Sequence, residues 1–356
     1  MAIRILIVGC GNMGKSHAKA YHQLDAFEIV GLVSRGEESR DALSELLGGY
    51  PTFDNYDTAL AETIPDAVSI NTYPDTHASY VLTALRAGAH VFVEKPLANT
   101  VEECLEIQKM VNESGKKLVI GYILRVHPTW TTFIEHAKTL GKPLVMRMNL
   151  NQQSHGDTWG VHKNLMKSMS PIVDCGVHYV DIMCSMTGAT PISVSAIGAR
   201  LADDIDKDMY NYGQLQVRFD DGSVGWYEAG WGPMMSETAY FIKDVIGPKG
   251  CVSIVDKNPA HDGVTSDTVD SHIGTNSLFV HSSHTNPDGS FSKRDHYIDT
   301  SDEPDHDGLC LLEQEYFLKA IHEDLDLTDH LNDAIKSLRI VLAADESVKT
   351  GRTVSL

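Results

Sequence analysis

Hydrophobic positions follow two different rhythms along the 356 residues. In the first third, short apolar runs alternate with stretches of helical character. Ile3, Ile5, Leu6, Ile7 and Val8 form a run typical of a strand buried on both faces. A helix over 15–24 follows, then a strand over 28–33, a helix over 39–47, and a strand over 67–71. Next come a helix over 77–87, a strand over 90–93, a helix over 101–114 closed by Gly115, and a strand over 118–122. Strands alternating with helices predict a doubly wound parallel sheet, and its domain is expected to end near Tyr122.

From residue 123 onward the rhythm changes. A helix over 125–140 and a strand over 143–151 lead to a polar loop over 152–162. Beyond Pro191, strand-like runs over 192–199, 212–219, 224–230, 240–246 and 250–255 recur without crossover helices. Asp220-Asp221-Gly222 reads as a hairpin turn between two of them. These runs predict an α/β domain over 123–356 with an open, mainly antiparallel sheet, whose broad face suits a homodimer or homotetramer. Residues 256–308 are polar, and two helices over 313–324 and 333–349 follow, the second placed to pack back towards the first domain.

Composition narrows the functional classes. A net charge of −20 disfavours general nucleic-acid binding, which needs concentrated positive charge. No run approaches the roughly 20 apolar residues of a membrane span, and the first strand starts almost at Met1, so a cytoplasmic protein is expected. The six cysteines are scattered without a C-x-x-C, so no metal site is expected. His281-x-x-His284 has no acid or thiol at useful spacing.

Gly9-Cys10-Gly11-Asn12-Met13-Gly14 has the spacing G-x-G-x-x-G between a strand and a helix. Gly9 permits the tight turn, Gly11 lets backbone approach a pyrophosphate, and Gly14 lets helix and strand pack closely. A nicotinamide dinucleotide is therefore the expected cofactor. About 20 residues on, where an acid usually grips the ribose of NAD, stand Ser34 and Arg35, with Arg40 beyond. This set leans towards the 2′-phosphate of NADP. Glu37 and Glu38 offer a ribose alternative, so NAD stays open.

Further polar groups lie at the carboxyl ends of later strands, where open α/β sheets bind ligands. Thr72 and His77 follow the third long strand, and Glu94-Lys95-Pro96 follows the fourth. The expected cofactor contacts are Gly9, Gly11, Asn12, Met13, Gly14, Ser34, Arg35, Arg40, Thr72, His77, Glu94 and Lys95. A lysine at that edge would stabilise a developing alkoxide, and the Lys95-Pro96 bond is a candidate for the cis form. In the second half, Asp174, His178 and Asp181 share one face if the segment is one helix, and a carboxylate beside an imidazole suits a general base. The same spacing also fits a buried, acid-satisfied histidine or a metal site. Tyr122, Arg125, His155 and Trp159, with Asp174 and His178, are expected at the substrate, Trp159 as an apolar stacking face.

Taken in order, the glycine loop, Glu94-Lys95-Pro96 and Asp174-x-x-x-His178 resemble the Gfo/Idh/MocA oxidoreductases, the glucose-fructose oxidoreductase and inositol dehydrogenase family. The likeness extends to Ala343-x-x-x-Ser347-x-x-Thr350-Gly351. It implies a Rossmann domain holding NAD(P), a second domain with an open antiparallel sheet, and a catalytic set of Lys95, Asp174 and His178. The implied activity is hydride exchange with a secondary alcohol or ketone of a sugar, sugar derivative or inositol. A glycosidase or dehydratase using bound NAD(H) transiently, and a non-catalytic NAD(P)-binding sensor, are the alternatives. Lys167-Ser168-Met169-Ser170-Pro171 departs from the family's glycine-rich approach to the histidine segment and bears on the pocket's shape.

Overall fold

The computed structural model describes residues 2–235, 242–255, 275 and 277–356. These residues form two compact units. Met1–Val126 with Pro304–Ile335 make the first, and His127–Glu303 with Lys336–Leu356 make the second. The division differs from the expected single boundary at 122, because residues 304–335 join the first unit.

In the first unit, β1 (Ile3–Val8), α1 (Asn12–Gln23), β2 (Phe27–Val33), α2 (Glu37–Leu46), β3 (Thr52–Phe53) and α3 (Tyr56–Thr63) are followed by β4 (Ala67–Ile70) and α4 (Pro74–Arg86). Then come β5 (His90–Glu94), α5 (Val101–Ser114) and β6 (Leu118–Gly121). The six strands pair in parallel in the order β3-β2-β1-β4-β5-β6. Local chemistry explains why the elements fall where the pattern predicts. Helix α5 starts at a capping box in which Thr100 accepts from Glu103 N–H and Glu103 accepts from Thr100 N–H, and it stops at Gly115 in the left-handed region.

Helix α10 (His306–His322) explains the regrouping. Its Phe317 is fully buried, with ring centroids 6.3 Å from Phe27 and 6.2 Å from Phe92. Apolar periodicity finds such a helix but does not name the surface that covers it.

Helix α11 (Thr328–Thr350) begins in the same unit, where Ile120 N–H donates to Nε2 of buried His330 over 3.0 Å. Burial, helped by Arg125, pushes the His330 pKa down to about 3. The unfolded chain takes up this proton near pH 6.5, whereas the folded chain resists it down to about 3. Stability is therefore full above pH 6.5 and falls as pH drops through that window, by up to about 1.4 kcal/mol per pH unit. Urea unfolding of wild type and His330→Gln between pH 7.5 and 4.5 should show a flatter profile for the variant. Equal slopes would contradict the assignment.

The second unit holds α6 (Pro128–Thr139), β7 (Val145–Gln153), α7 (Gly156–Leu165), α8 (Pro171–Asp174) and α9 (Gly176–Thr187), then β8 (Pro191–Ala199), β9 (Tyr212–Phe219) and β10 (Val224–Gly232). Strands β11 (Lys243–Gly247), β12 (Gly250–Val255), β13 (Ser277–Ser282) and β14 (His296–Asp299) follow, and β15 (Val354–Ser355) comes from the chain end. Nine strands form one sheet, ordered β14-β13-β12-β11-β7-β10-β9-β8-β15, antiparallel except for the β7–β10 pair. Inside, Trp130 of α6 packs edge-on to Tyr179 of α9, and Tyr179 stacks on Tyr227 of β10 at 5.0 Å.

One expected element is different, and two stretches are only partly described. The segment over 152–162 is not a loop, since β7 runs on to Gln153 and α7 begins at Gly156. The strand expected over 240–246 is found from Lys243, residues 240 and 241 lying outside the described ones. Within the polar 256–308 stretch, β13 and β14 form the sheet's end, while 256–274 and 276 lie outside the described residues. Strand β14 is the sheet edge and needs few apolar side chains, whereas β13 lies inside it, and its short run Leu278-Phe279-Val280 stands alone in an otherwise polar stretch. Among the described residues no helix is long and apolar enough to cross a membrane.

Candidate active site

The glycine loop is built as its spacing requires. Gly9 adopts φ +95°, and a Cβ there would lie 2.5 Å from the Asn71 carbonyl oxygen. A Cβ on Gly14 would lie 1.8 Å from the Gly9 carbonyl oxygen, so helix and strand can approach only without one. At Gly11 a Cβ would meet nothing within 4 Å, which leaves open space beside the loop. Gly11 is also the N-cap of α1, with no side chain capping it and no acid in the first turn. N–H groups that face such a space suit a pyrophosphate, and the residues fit a dinucleotide.

At the end of β2, Arg40 donates from Nη1 to the Ser34 carbonyl over 3.1 Å, and Ser34 Oγ lies 3.3 Å from Ser39 Oγ. Arg35, Glu37 and Glu38 are exposed. A cation and a hydroxyl thus stand at the tip of the strand, with the two acids in the first turn of α2.

His77 and Glu94 take different places from those expected. His77 is fully buried, its Nδ1 2.7 Å from the Pro96 carbonyl and its Nε2 3.0 Å from the Thr72 carbonyl. It ties the loop after β4 to the loop after β5 and presents no surface to a cofactor. Burial lowers its pKa. Thr72 hydrogen-bonds through its hydroxyl to Thr76 over 2.6 Å. Glu94 is 7% exposed and turns inward, accepting from Lys95 N–H at 3.1 Å and lying 2.7 Å from His17 Nε2. Lys95 follows at the strand's carboxyl end, and the Lys95-Pro96 bond is cis. Tyr122 is buried with its ring edge-on to His330, and Arg125 pairs with Asp333 at 2.9 Å within the same unit. Packing has taken the surface that Tyr122 was expected to offer a substrate.

In the second unit, Ser170 N-caps α8 by accepting from Val173 N–H. The Ser170 hydroxyl is held 2.7 Å from Asp345 and 3.0 Å from Tyr210. The residues that replace the glycine-rich approach therefore end in a firmly anchored cap. Asp174 closes α8, Cys175 joins the helices, and His178 lies in the first turn of α9. At this junction His178 N–H bonds to the Cys175 carbonyl, a tighter turn than α-helix. The segment is therefore two helices jointed at Cys175, not the single helix on which the common face was expected. Asp174 and His178 are half-buried, whereas Asp181 is fully buried.

Of the groups beside this junction, the sequence reading covered Gln152 and His162 within the 152–162 stretch but missed Cys175 and Trp231. Cys175 Sγ lies 3.3 Å from Gln152 Oε1 and 3.6 Å from Asp174 Oδ2. Trp231 donates its indole N–H to Gln152 Oε1 over 2.6 Å, and the His162 ring stacks on Trp231 at 4.4 Å. Buried Tyr227 sits close enough to Cys175 and Asp174 that their charges add to burial in raising its pKa. The parallel register of β7 with β10 sets Gln152 beside Trp231. Trp159 is not the open stacking face expected. It is 8% exposed, donates to Asp204 and lies under Lys163. His155 is exposed at the N-cap of α7.

Among the described residues, His17, Cys310 and Glu313 form a buried group of metal-ligand type. Both ring nitrogens of His17 are engaged, Nε2 with Glu94 and Nδ1 with Gln314 at 2.9 Å. His281 has an acid after all, since Asp295 lies 2.7 Å from its Nδ1.

Comparison with known proteins extends this picture. Residues 3–122 match the family model described as "Oxidoreductase family, NAD-binding Rossmann fold", and residues 134–251 match the "GFO/IDH/MocA C-terminal domain". A UDP-N-acetylglucosamine 3-dehydrogenase of Acidithiobacillus ferrooxidans is 29% identical over 203 residues, 57% of this chain and 60% of that protein. The match thus spans less than two thirds of that relative. A D-glucoside 3-dehydrogenase of Escherichia coli is 24% identical over 73% of this chain and 78% of its own length. The structure of scyllo-inositol dehydrogenase from Lactobacillus casei with bound NAD(H) and scyllo-inositol superposes with TM-score 0.79 at 21% identity, covering 100% and 99% of the two chains.

Proposed function

The chain belongs to the Gfo/Idh/MocA oxidoreductase family, and from that premise we propose that it interconverts a secondary alcohol and a ketone on a sugar, sugar derivative or inositol, using NAD(P). The observation that carries the reading is that a glycine loop with open space at Gly11 and a half-buried Asp174/His178 pair beside Gln152 and Trp231 occur in one chain. The named relatives that act on sugars and inositols support the substrate class.

In this reading Gly9, Gly11, Asn12, Met13 and Gly14 hold the pyrophosphate, and the bound nicotinamide supplies the hydride acceptor. His178 takes the hydroxyl proton, Asp174 orients the imidazole or a neighbouring hydroxyl, and Lys95 stabilises negative charge on the oxygen. In ketone reduction His178 returns the proton. A panel of sugars, inositols and keto derivatives, followed at the nicotinamide absorbance, tests the assignment. Turnover of at least one polyol with stoichiometric cofactor reduction is expected. Release of a leaving group without net absorbance change would favour the transient-redox glycosidase or dehydratase, and binding without turnover would favour a sensor.

The cofactor reading is NADP over NAD, with Ser34, Arg35 and Arg40 around the 2′-phosphate. Arg40 is committed to the Ser34 carbonyl, which leaves exposed Arg35 as the adjustable cation. Arg35→Ala should lower kcat/KM for NADPH about tenfold while leaving that for NADH nearly unchanged, as expected for one lost charge-assisted contact. Equal losses with both cofactors would remove Arg35 from this role. The protein is read as cytoplasmic. The outer face of its large sheet, where exposed Val145 pairs with exposed Val224 and Ile246, is the proposed contact of a homodimer or homotetramer.

A further inference from the structure

Behind the Lys95 strand end, the first unit holds a chain of buried polar groups that the dehydrogenase chemistry does not itself use. Tyr21 on α1 donates its hydroxyl to Oε1 of Gln314 on α10. Gln314 Nε2 therefore points at His17 Nδ1, 2.9 Å away. An amide nitrogen can only donate, so Nδ1 must accept and the imidazole proton sits on Nε2. That proton meets Glu94 Oε1 at 2.7 Å, and the other carboxylate oxygen accepts Lys95 N–H at 3.1 Å. From Tyr21 to Glu94 every donor points the same way, towards the carboxylate at the end of β5. Tyr21, His17 and Gln314 are all fully buried, and His17 packs edge-on against Phe92 of the same strand. Beside the chain, Glu313 is fully buried, and burial together with the Glu94 charge raises its pKa.

We propose that His17 and Gln314 are positioning residues. Through Glu94 they fix the backbone of Lys95, so that its side chain leaves the strand in one direction. Glu94 thereby moves from the expected cofactor contact to a link in this relay. The proposal rests on the dehydrogenase reading for its effect on rate, while the hydrogen-bond direction can be read without turnover.

Because the relay has a direction, it can be broken and then restored by reversing it. In Glu94→Gln the new amide turns its NH₂ on either His17 Nε2–H or Lys95 N–H, two donors meeting, unless His17 changes tautomer and the Gln314 amide turns over against the Tyr21 hydroxyl. In Gln314→Glu the ring stands between two carboxylates, and it either takes a second proton and becomes a buried cation or leaves one ring nitrogen facing a carboxylate without a proton. Combining them gives a consistent chain in the opposite sense. The carboxylate introduced at position 314 accepts from Nδ1–H, and Nε2 accepts from the amide introduced at position 94, whose oxygen keeps Lys95 N–H. Each single variant should lose about 10²-fold in kcat, the scale of a small misplacement of a reacting group, with KM for the polyol within a few-fold of wild type. The double variant E94Q/Q314E should recover most of that loss. Selective ¹⁵N-histidine NMR of the cofactor-free protein, with the His17 signal assigned by its loss in His17→Gln, should show the Nε2–H tautomer in wild type and Nδ1–H in the double variant. Wild-type kcat in Glu94→Gln, a double variant no better than its parents, or an Nδ1–H tautomer in wild type would each overturn the proposal. If Glu94→Gln does not fold, His17→Asn serves as the broken arm and the wild-type tautomer still decides direction. A wild type that turns over no polyol defeats the dehydrogenase reading alone, and the tautomers still decide whether the relay exists.

Discussion

Replacing His178 by Asn should lower kcat by roughly 10²–10⁴-fold, the range for loss of a general acid–base group, while the protein melts near the wild-type temperature. The side chain is half-buried at the α8–α9 junction, so its truncation opens no cavity in the core. Lys95→Met should fall in the same range for a different reason. In the proposed mechanism it removes the cation that answers charge on the substrate oxygen but leaves proton transfer intact, so its loss should be steepest in the pH range where the oxygen must carry charge. Steady-state kinetics across pH, with melting curves, separate these cases from misfolding. Turnover near wild type in both variants would remove the pair from the reaction.

Gly14→Ala should be the most damaging single methyl in the cofactor loop. Its Cβ would lie 1.8 Å from the Gly9 carbonyl oxygen, a backbone atom, so the loop and α1 must move apart. Overpacking of this kind costs about 1–3 kcal/mol of stability. Displaced N–H groups should also weaken dinucleotide binding at least tenfold, since the phosphate site depends on their direction. Gly11→Ala is the control, because its added carbon meets nothing within 4 Å of the protein and should be felt only when cofactor enters. Thermal melting with and without NADPH and NADH reads both effects. If Gly14→Ala melts and binds like wild type, close packing at this glycine does not hold the loop in shape.

Much of the first unit is legible because its signals are local. The run from Ile3 to Val8, the glycines that follow it, and the Thr100/Glu103 box closed at Gly115 each act within a few residues. What escapes reading is long-range pairing. Nothing near Phe317 says that it will fill space beside Phe27 and Phe92, so the place of α10 comes from packing alone. Gln152 and Trp231 meet only because β7 and β10 pair in parallel, 79 residues apart in sequence. Trp159 is the more conspicuous aromatic, yet a helix and Asp204 claim its face. Likewise, i, i+4, i+7 spacing names Asp181 with His178 on α9, but it does not say that packing around the helix buries Asp181 completely while His178 stays half-buried. The His17–Glu94 link joins a helix to a strand end and is invisible to any window.

The most direct test uses a polyol identified from the panel and carrying deuterium on the carbon to be oxidised. Wild-type enzyme is expected to transfer the label to C4 of the nicotinamide, giving one deuterium per reduced cofactor by mass spectrometry and a ketone at the labelled carbon. Reduced cofactor without deuterium, or product in which the label has washed into solvent, would contradict direct hydride transfer from that carbon.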